Sequence, residues 1–152
     1  MSIEDLLRLH DENRCARQSL ALLHTAVSSL PCPPEGHAFL GLLRESARYF
    51  ETELPRHILE EETRVFPHYA GMDGAGELVA LREEHRQLHD MAAEFARWVR
   101  HFAEAPTDEA WRMVREHGNA IEMATRRHMD HEDAILRRLT QAECHDSFGQ
   151  SQ

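Results

Sequence analysis

Two short turns in the sequence each pair a histidine with a glutamate four positions later. The first turn runs from His57 to Glu61, and the second runs from His128 to Glu132. On an α-helix this spacing places both side chains on one face, one turn apart. An imidazole nitrogen and a carboxylate oxygen that face the same way from two helices are suitable ligands for a metal in a helical bundle. The two turns therefore predict a metal site, and the rest of the chain must bring them together.

Composition supports a metal-binding protein and excludes several other classes. The 152 residues include 12 histidines, and histidine is the commonest metal ligand. The formal net charge of −10 argues against a nucleic acid or an anionic membrane as partner. The odd number of cysteines (Cys15, Cys32, Cys144) and the acidic N-terminus argue against a disulfide framework and a secretory signal. We therefore expect a cytoplasmic protein with no membrane span.

Apolar residues recur every three or four positions in four segments, which is the pattern of amphipathic helices. The expected bounds are about 2–30, 37–68, 75–103 and 108–140. Long helices with short connections predict an all-α, up-down-up-down antiparallel four-helix bundle. We assign residues 1–141 to this bundle and 142–152 to a polar, loosely ordered C-terminal tail.

Single residues predict local features of these segments. Thr107 or Asp108 is a candidate N-cap for the fourth segment. Pro55 lacks a backbone hydrogen-bond donor and should kink the second segment just before His57. Pro67 and the glycines that follow it should end the second segment.

The antiparallel topology brings further histidines toward the same end of the bundle. His10 lies early in the first segment and His85 early in the third, where they adjoin the ends of the second and fourth segments. A lone histidine followed by a histidine–glutamate turn thus occurs twice, which suits a pair of metal ions. Burial of these polar groups is costly unless metal binding compensates. The predicted metal set is His10, His57, Glu61, His85, His128 and Glu132.

The order of these residues resembles that of the hemerythrin-like, or HHE cation-binding, domains. The resemblance extends from His10 to about Leu139 and is most specific at the two turns and at Val65-Phe66-Pro67. It implies a four-helix bundle with two iron ions in a non-haem, oxo- or hydroxo-bridged centre. Ligand type alone leaves other metals open. Carried over from the family, Glu61 and Glu132 would be the bridging carboxylates.

The resemblance also implies how the histidines divide between the two irons. The histidine ligands would be His10 and His57 on one iron, and His85, His128 and His89 on the other. Three histidines would saturate the second iron and leave the first iron open to O₂. As an alternative, His89 faces the core without binding metal. Hemerythrins proper usually have an aspartate five residues after the last histidine, so Asp133 is an alternative to Glu132.

The remaining histidines and glutamates are expected outside the set of ligands. We expect His131 on the surface and His117 in the core, too far from His128 to bind the same metal. Four glutamates are expected on a solvated face, although the first or last could support a ligand; they are Glu60, Glu62, Glu83 and Glu84.

The function that the resemblance implies is binding of O₂, or of NO or peroxide, at the iron pair. An enzyme that decomposes peroxide or reduces NO is the alternative, and it gains weight if His89 is not a ligand. A third possibility is a metal-homeostasis module whose iron occupancy controls its stability. The expected partner is a small diatomic molecule or peroxide, and the sequence leaves the oligomeric state open.

Overall fold

The computed structural model describes the backbone of residues 3–28, 37–72 and 74–149. Side chains are described for residues 11, 13–28, 39–72 and 74–142. Within these ranges all regular structure is helical, which confirms the predicted all-α class. The predicted break at 31–36 lies outside the described residues. None of the described helices is long and apolar enough to cross a membrane.

The described helices form four rods. The first rod is α1 (Ile3–Ser28). The second rod contains α2 (His37–Arg48), π1 (Tyr49–Glu53), α3 (Leu54–Glu60), π2 (Glu61–Val65) and α4 (Phe66–Tyr69), where π marks a π-helical segment. The third and fourth rods are α5 (Glu77–Glu104) and α6 (Asp108–Gly149).

Contacts between the rods establish their antiparallel order. Along each contacting pair of rods, residue numbers rise on one rod and fall on the other. Between α5 and α6 the contacting pairs are Phe102 with Trp111 and Glu77 with Arg138. Between α1 and α6 they are Arg17 with Asp133 and Ser28 with Asn119. Between the second rod and α5 they are Phe50 with Phe95 and Glu62 with His85. The chain is therefore an antiparallel helical bundle, as its hydrophobic pattern predicts.

Each π-helical segment lies just before a proline. The segment π1 ends at Glu53, before Pro55, and π2 ends at Val65, before Pro67. A proline ring lacks an N–H and crowds the carbonyl group four residues earlier, and a wider turn relieves this crowding. A π-helical turn therefore lies where a kink was predicted before His57, the kink itself stays a prediction, and the second rod continues through both prolines.

The last helix begins as predicted and extends further than expected. The N–H of Ala110 donates to Thr107 Oγ1 at 3.1 Å, so Thr107 caps α6. The helix then continues to Gly149. The backbone is therefore helical over residues 142–149, where no proline interrupts the sequence, and the loose order of the tail stays a prediction. The domain boundary at residue 141 stays a prediction.

The buried apolar side chains form two clusters. The larger cluster fills most of the bundle and includes Ile58 and Leu88. The smaller cluster includes Phe66, Leu81 and Ile135. Along the second rod, α5 and α6, Glu61, His85 and Glu132 lie between residues of the two clusters, and His57 and His128 directly precede residues of the larger cluster. A polar layer in the core is therefore enclosed by apolar packing on both sides.

Gly118 on α6 is a point of close helix packing in the larger cluster. A Cβ atom at this position would lie 2.9 Å from Val27 Cγ1 and 3.2 Å from Phe95 Cε2. By contrast, a Cβ atom at Gly41 on α2 would have no neighbour within 4 Å. Glycine at position 118 therefore permits α1, α5 and α6 to approach one another, whereas Gly41 has no such role.

We expect the two glycines to respond to alanine with opposite signs. Gly118→Ala should lower the free energy of unfolding by about 1 kcal/mol, because overpacking outweighs the gain in helix propensity. Gly41→Ala should raise it by about 0.5–1 kcal/mol through propensity alone. Urea unfolding followed by circular dichroism measures both changes. Stabilisation by both substitutions would contradict the packing at Gly118.

Candidate metal centre

The Glu61 carboxylate lies at the middle of the polar layer and is completely buried. Its Oε1 is 2.6 Å from Nε2 of His57, and its Oε2 is 3.2 Å from Nε2 of His85. Despite these short distances, neither oxygen has a partner with hydrogen-bond alignment among the described residues. Two buried oxygens without an aligned hydrogen bond therefore lie close to imidazole nitrogens, which is an arrangement that a bound cation would stabilise.

The rings of His85 and His128 face each other through their Nε2 atoms, which are 3.1 Å apart. On the far side of each ring, Nδ1 lies 2.8 Å from Glu62 Oε1 in His85 and 2.7 Å from Glu84 Oε2 in His128. A carboxylate only accepts hydrogen bonds, so each Nδ1 carries the hydrogen, and in a neutral ring Nε2 then carries the lone pair. Two facing lone pairs repel each other unless a cation binds both.

Two groups of potential ligands meet at Glu61. One group contains Glu61, His85 and His128, and the other contains His57, Glu61 and Glu132. Within each group the ligand atoms all lie within 4.8 Å of one another. A carboxylate shared between two such groups has one oxygen for each of two cations. The residues present therefore fit a pair of metal ions bridged by Glu61.

Burial and charge affect the two buried glutamates in opposite directions. Burial alone would raise the pKa of Glu61, but its 2.6 Å contact with His57 outweighs burial and lowers the pKa below its usual range. Burial raises the pKa of Glu132, and the nearby charge of Glu61 raises it further. Burial also lowers the pKa of His128, which keeps this ring neutral and able to bind a cation.

The π-helical turn helps to position the ligands around His85. The segment π2 begins at Glu61, and a turn closed by i→i+5 bonds separates consecutive side chains by less than the roughly 100° of an α-helix. Glu61 and Glu62 can therefore contact opposite nitrogens of one ring. Phe66 stacks on this ring with centroids 5.6 Å apart and planes 8° from parallel, which fixes its orientation.

Most residues of the predicted set come together. The structure gathers His57, Glu61, His85, His128 and Glu132. His10 lies on α1, but its side chain is outside the described side chains. His89 is exposed on α5, so the expectation that it faces the core is wrong. Leu88 takes the inward position of that turn.

The geometry favours Glu132 over Asp133 as a metal ligand. Glu132 is buried in the polar layer, whereas the Asp133 side chain is 43% exposed and lies 2.9 Å from Arg17. Asp133 belongs to neither group of ligand atoms in the described part of the chain. The position of Glu132 is thus the one that suits a ligand.

Two carboxylates, those of Glu62 and Glu84, contact histidines of the centre in a way that the sequence did not predict. Glu62 was expected on a solvated face, and Glu84 was at most a supporting group. Burial alone would raise the pKa of Glu84, but hydrogen bonds from His128 and His131 outweigh burial and lower it. His131, which was expected on the surface, has a side chain that is 38% exposed, and its Nδ1 donates to Glu84 at 2.8 Å. The available signal was that Glu62 and Glu84 each directly adjoin a predicted ligand in the sequence.

Comparison with known proteins places the chain in a family. No curated protein and no solved structure matches it. The family model described as the hemerythrin HHE cation binding domain matches residues 5–140. This match covers most of the chain and contains both groups of ligand atoms, and it confirms the resemblance found in the sequence. The chain therefore belongs to the hemerythrin HHE cation-binding domain family.

Proposed function

We propose that the protein holds a non-haem di-iron centre that binds O₂, or the related ligands NO and peroxide. The observation that carries the proposal is the buried Glu61 carboxylate, which is shared by two groups of converging ligand atoms and whose two oxygens lack an aligned hydrogen-bond partner among the described residues. Mixed nitrogen and oxygen ligands suit iron. Membership of a cation-binding family supports the same assignment.

The proposal assigns each ligand to one of two ions. The ligand sets are His10, His57, Glu61 and Glu132 for one ion, and Glu61, Glu132, His85 and His128 for the other. Glu132 lies beside Glu61 and would be the second bridge. We include His10 in the first set because it lies one helical turn before Asn13, which is buried on α1.

The surroundings of the centre suit a small uncharged ligand. Bound ferrous ions would supply the electrons that O₂ binding requires. The apolar clusters on both sides of the polar layer exclude water from it. A groove of about 370 Å³ opens between α5 and α6 beside His128. Leu88, Met91 and Met123 make its lining mainly apolar, and Glu84 and Arg127 add charged groups to it. The apolar part of this lining suits a small ligand such as O₂ or NO.

One observation favours the enzymatic alternative, in which the centre decomposes peroxide or reduces NO. The exposed position of His89 leaves the ion at His85 and His128 with four protein ligands from the proposed set, the two histidines and the two bridging glutamates. Both ions would then retain room for an exogenous ligand. Peroxide and NO chemistry at two adjacent metals uses such open positions.

Iron stoichiometry tests the centre itself. Anaerobic titration of the wild type with Fe²⁺ should give about two ions per chain, as expected for a two-metal site. Glu61→Gln should reduce the bound iron to less than one ion, because both sites lose their shared ligand. Two matched controls, Asp133→Asn and His89→Ala, should keep the wild-type value. Full iron binding by Glu61→Gln, or none by the wild type, would contradict the proposal.

Absorbance during exposure to O₂ tests which function the centre performs. With O₂ binding, iron-loaded protein should gain a visible charge-transfer band that disappears under argon. With the enzymatic alternative, the iron should oxidise irreversibly, and added peroxide should be consumed over many turnovers. A protein that holds two irons but shows neither response would contradict both functions.

Removal of the Glu132 charge should stabilise the metal-free protein at neutral pH. The folded-state pKa of Glu132 is raised, so the unfolded chain ionises first and stability falls as pH rises from the ordinary glutamate value toward the folded value. Glu132→Gln removes this loss and should raise stability at pH 7 by about 1–3 kcal/mol. The melting temperature should rise by roughly 2–4 °C per kcal/mol.

Matched calorimetry of metal-free proteins measures this effect. Asp133→Asn is the control, because its exposed charge is already paired with Arg17 and its loss should not stabilise the fold. Iron should raise the melting temperature of the wild type and have little effect on Glu132→Gln. A metal-free Glu132→Gln protein that melts below the wild type at pH 7 would refute the account of this carboxyl group.

A further inference from the structure

We propose that Glu62 and Glu84 are positioning residues that fix the ring tautomers of His85 and His128. By accepting a hydrogen bond from each Nδ1, they would keep both Nε2 lone pairs directed at the centre. The role of those lone pairs as metal ligands rests on the proposed function. The tautomers themselves follow from hydrogen bonds in the metal-free geometry, so the two ideas can fail separately.

The hydrogen bonds run between rods, so each ring is held from a neighbouring rod. Glu62 on the second rod accepts from His85 on α5, and Glu84 on α5 accepts from His128 on α6. The rings are nearly completely buried, whereas the carboxylates are only partly buried, with side chains 34% and 29% exposed. The carboxylates thus keep contact with water at the edge of the layer while they orient buried rings.

Glu84 is itself held by a second histidine. Its Oε2 accepts from His128 and its Oε1 accepts from His131, at 2.7 and 2.8 Å. His131 follows His128 by three residues, so both rings lie on neighbouring parts of one helix face. One carboxylate therefore binds two imidazoles of α6, and neither of its oxygens can rotate away without the loss of a charge-assisted hydrogen bond.

Without these acceptors the geometry of the ligands would be lost. A neutral imidazole carries one hydrogen, and without a partner at Nδ1 that hydrogen can move to Nε2. An Nε2–H group cannot bind a metal, and at His85 and His128 it would occupy the space between the two rings. Carboxylates that fix the tautomer of a ligating histidine typically contribute a factor of about 10–100 to metal affinity.

Histidine NMR and metal affinity together test this role. Long-range ¹H–¹⁵N spectra of the metal-free protein report which ring nitrogen carries the hydrogen, with assignments from His85→Gln and His128→Gln. The wild type should show Nδ1–H in both rings. Glu62→Ala should increase the Nε2–H form of His85, and Glu84→Ala should do the same for His128. Anaerobic Fe²⁺ affinity should fall by about 10- to 100-fold in each variant.

Conservative and matched variants separate this role from a general structural one. Glu84→Gln keeps an acceptor oxygen and should retain more affinity and more Nδ1–H than Glu84→Ala. Glu83→Ala is the control, because Glu83 is an exposed neighbour that pairs with Arg86. It should leave both tautomers and the affinity unchanged. Circular dichroism should show that every variant is folded, which the partial exposure of the carboxylates favours.

The outcomes distinguish the two levels of the proposal. Nδ1–H in both rings, together with the expected shifts in the alanine variants, supports the positioning role even if the wild type binds no iron. In that case the proposed iron centre is refuted and the positioning role of the two glutamates stands. Unchanged tautomers and unchanged affinity in both Glu62→Ala and Glu84→Ala, with about two irons in the wild type, would overturn the positioning role and leave the centre intact.

Discussion

The central constraint on this bundle is a pair of buried carboxyl groups whose oxygens have no aligned hydrogen-bond partner among the described residues. Glu61 and Glu132 lie together between two apolar clusters, and their oxygens lack aligned partners within the described part of the chain. Such burial has a free-energy cost that apolar packing must offset in the metal-free protein. A cation at each of the two ligand groups would remove that cost, so stability and metal binding are linked at these residues.

The rods contribute to this layer in different ways. The second rod supplies Glu61 from a π-helical turn, which also brings the adjacent Glu62 to His85. Helices α5 and α6 supply histidines whose outer nitrogens are held by carboxylates of neighbouring rods. The same hydrogen bonds therefore set the spacing of the rods and the direction of the ligand atoms. Packing and chemistry at this end of the bundle cannot be altered independently.

Much of the fold and of the site could be predicted from the sequence, because both follow from regular helix geometry. The four-residue spacing places His57 with Glu61 and His128 with Glu132 on any α-helix. The same geometry could not decide between Leu88 and His89, which are adjacent, so the inward residue depends on neighbouring rods. Glu62 was placed in solvent because the prediction assumed α-helical angles, and the π-helical turn changes these angles.

The most direct test of the central claim is anomalous diffraction at the iron edge from crystals of the iron-loaded protein. The account predicts two peaks on opposite sides of the Glu61 carboxylate, about 3.5–4 Å apart, as in other two-metal sites. One peak should lie beside His57 and Glu132, and the other beside His85 and His128. A single peak in the layer, or iron bound only outside it, would contradict the account.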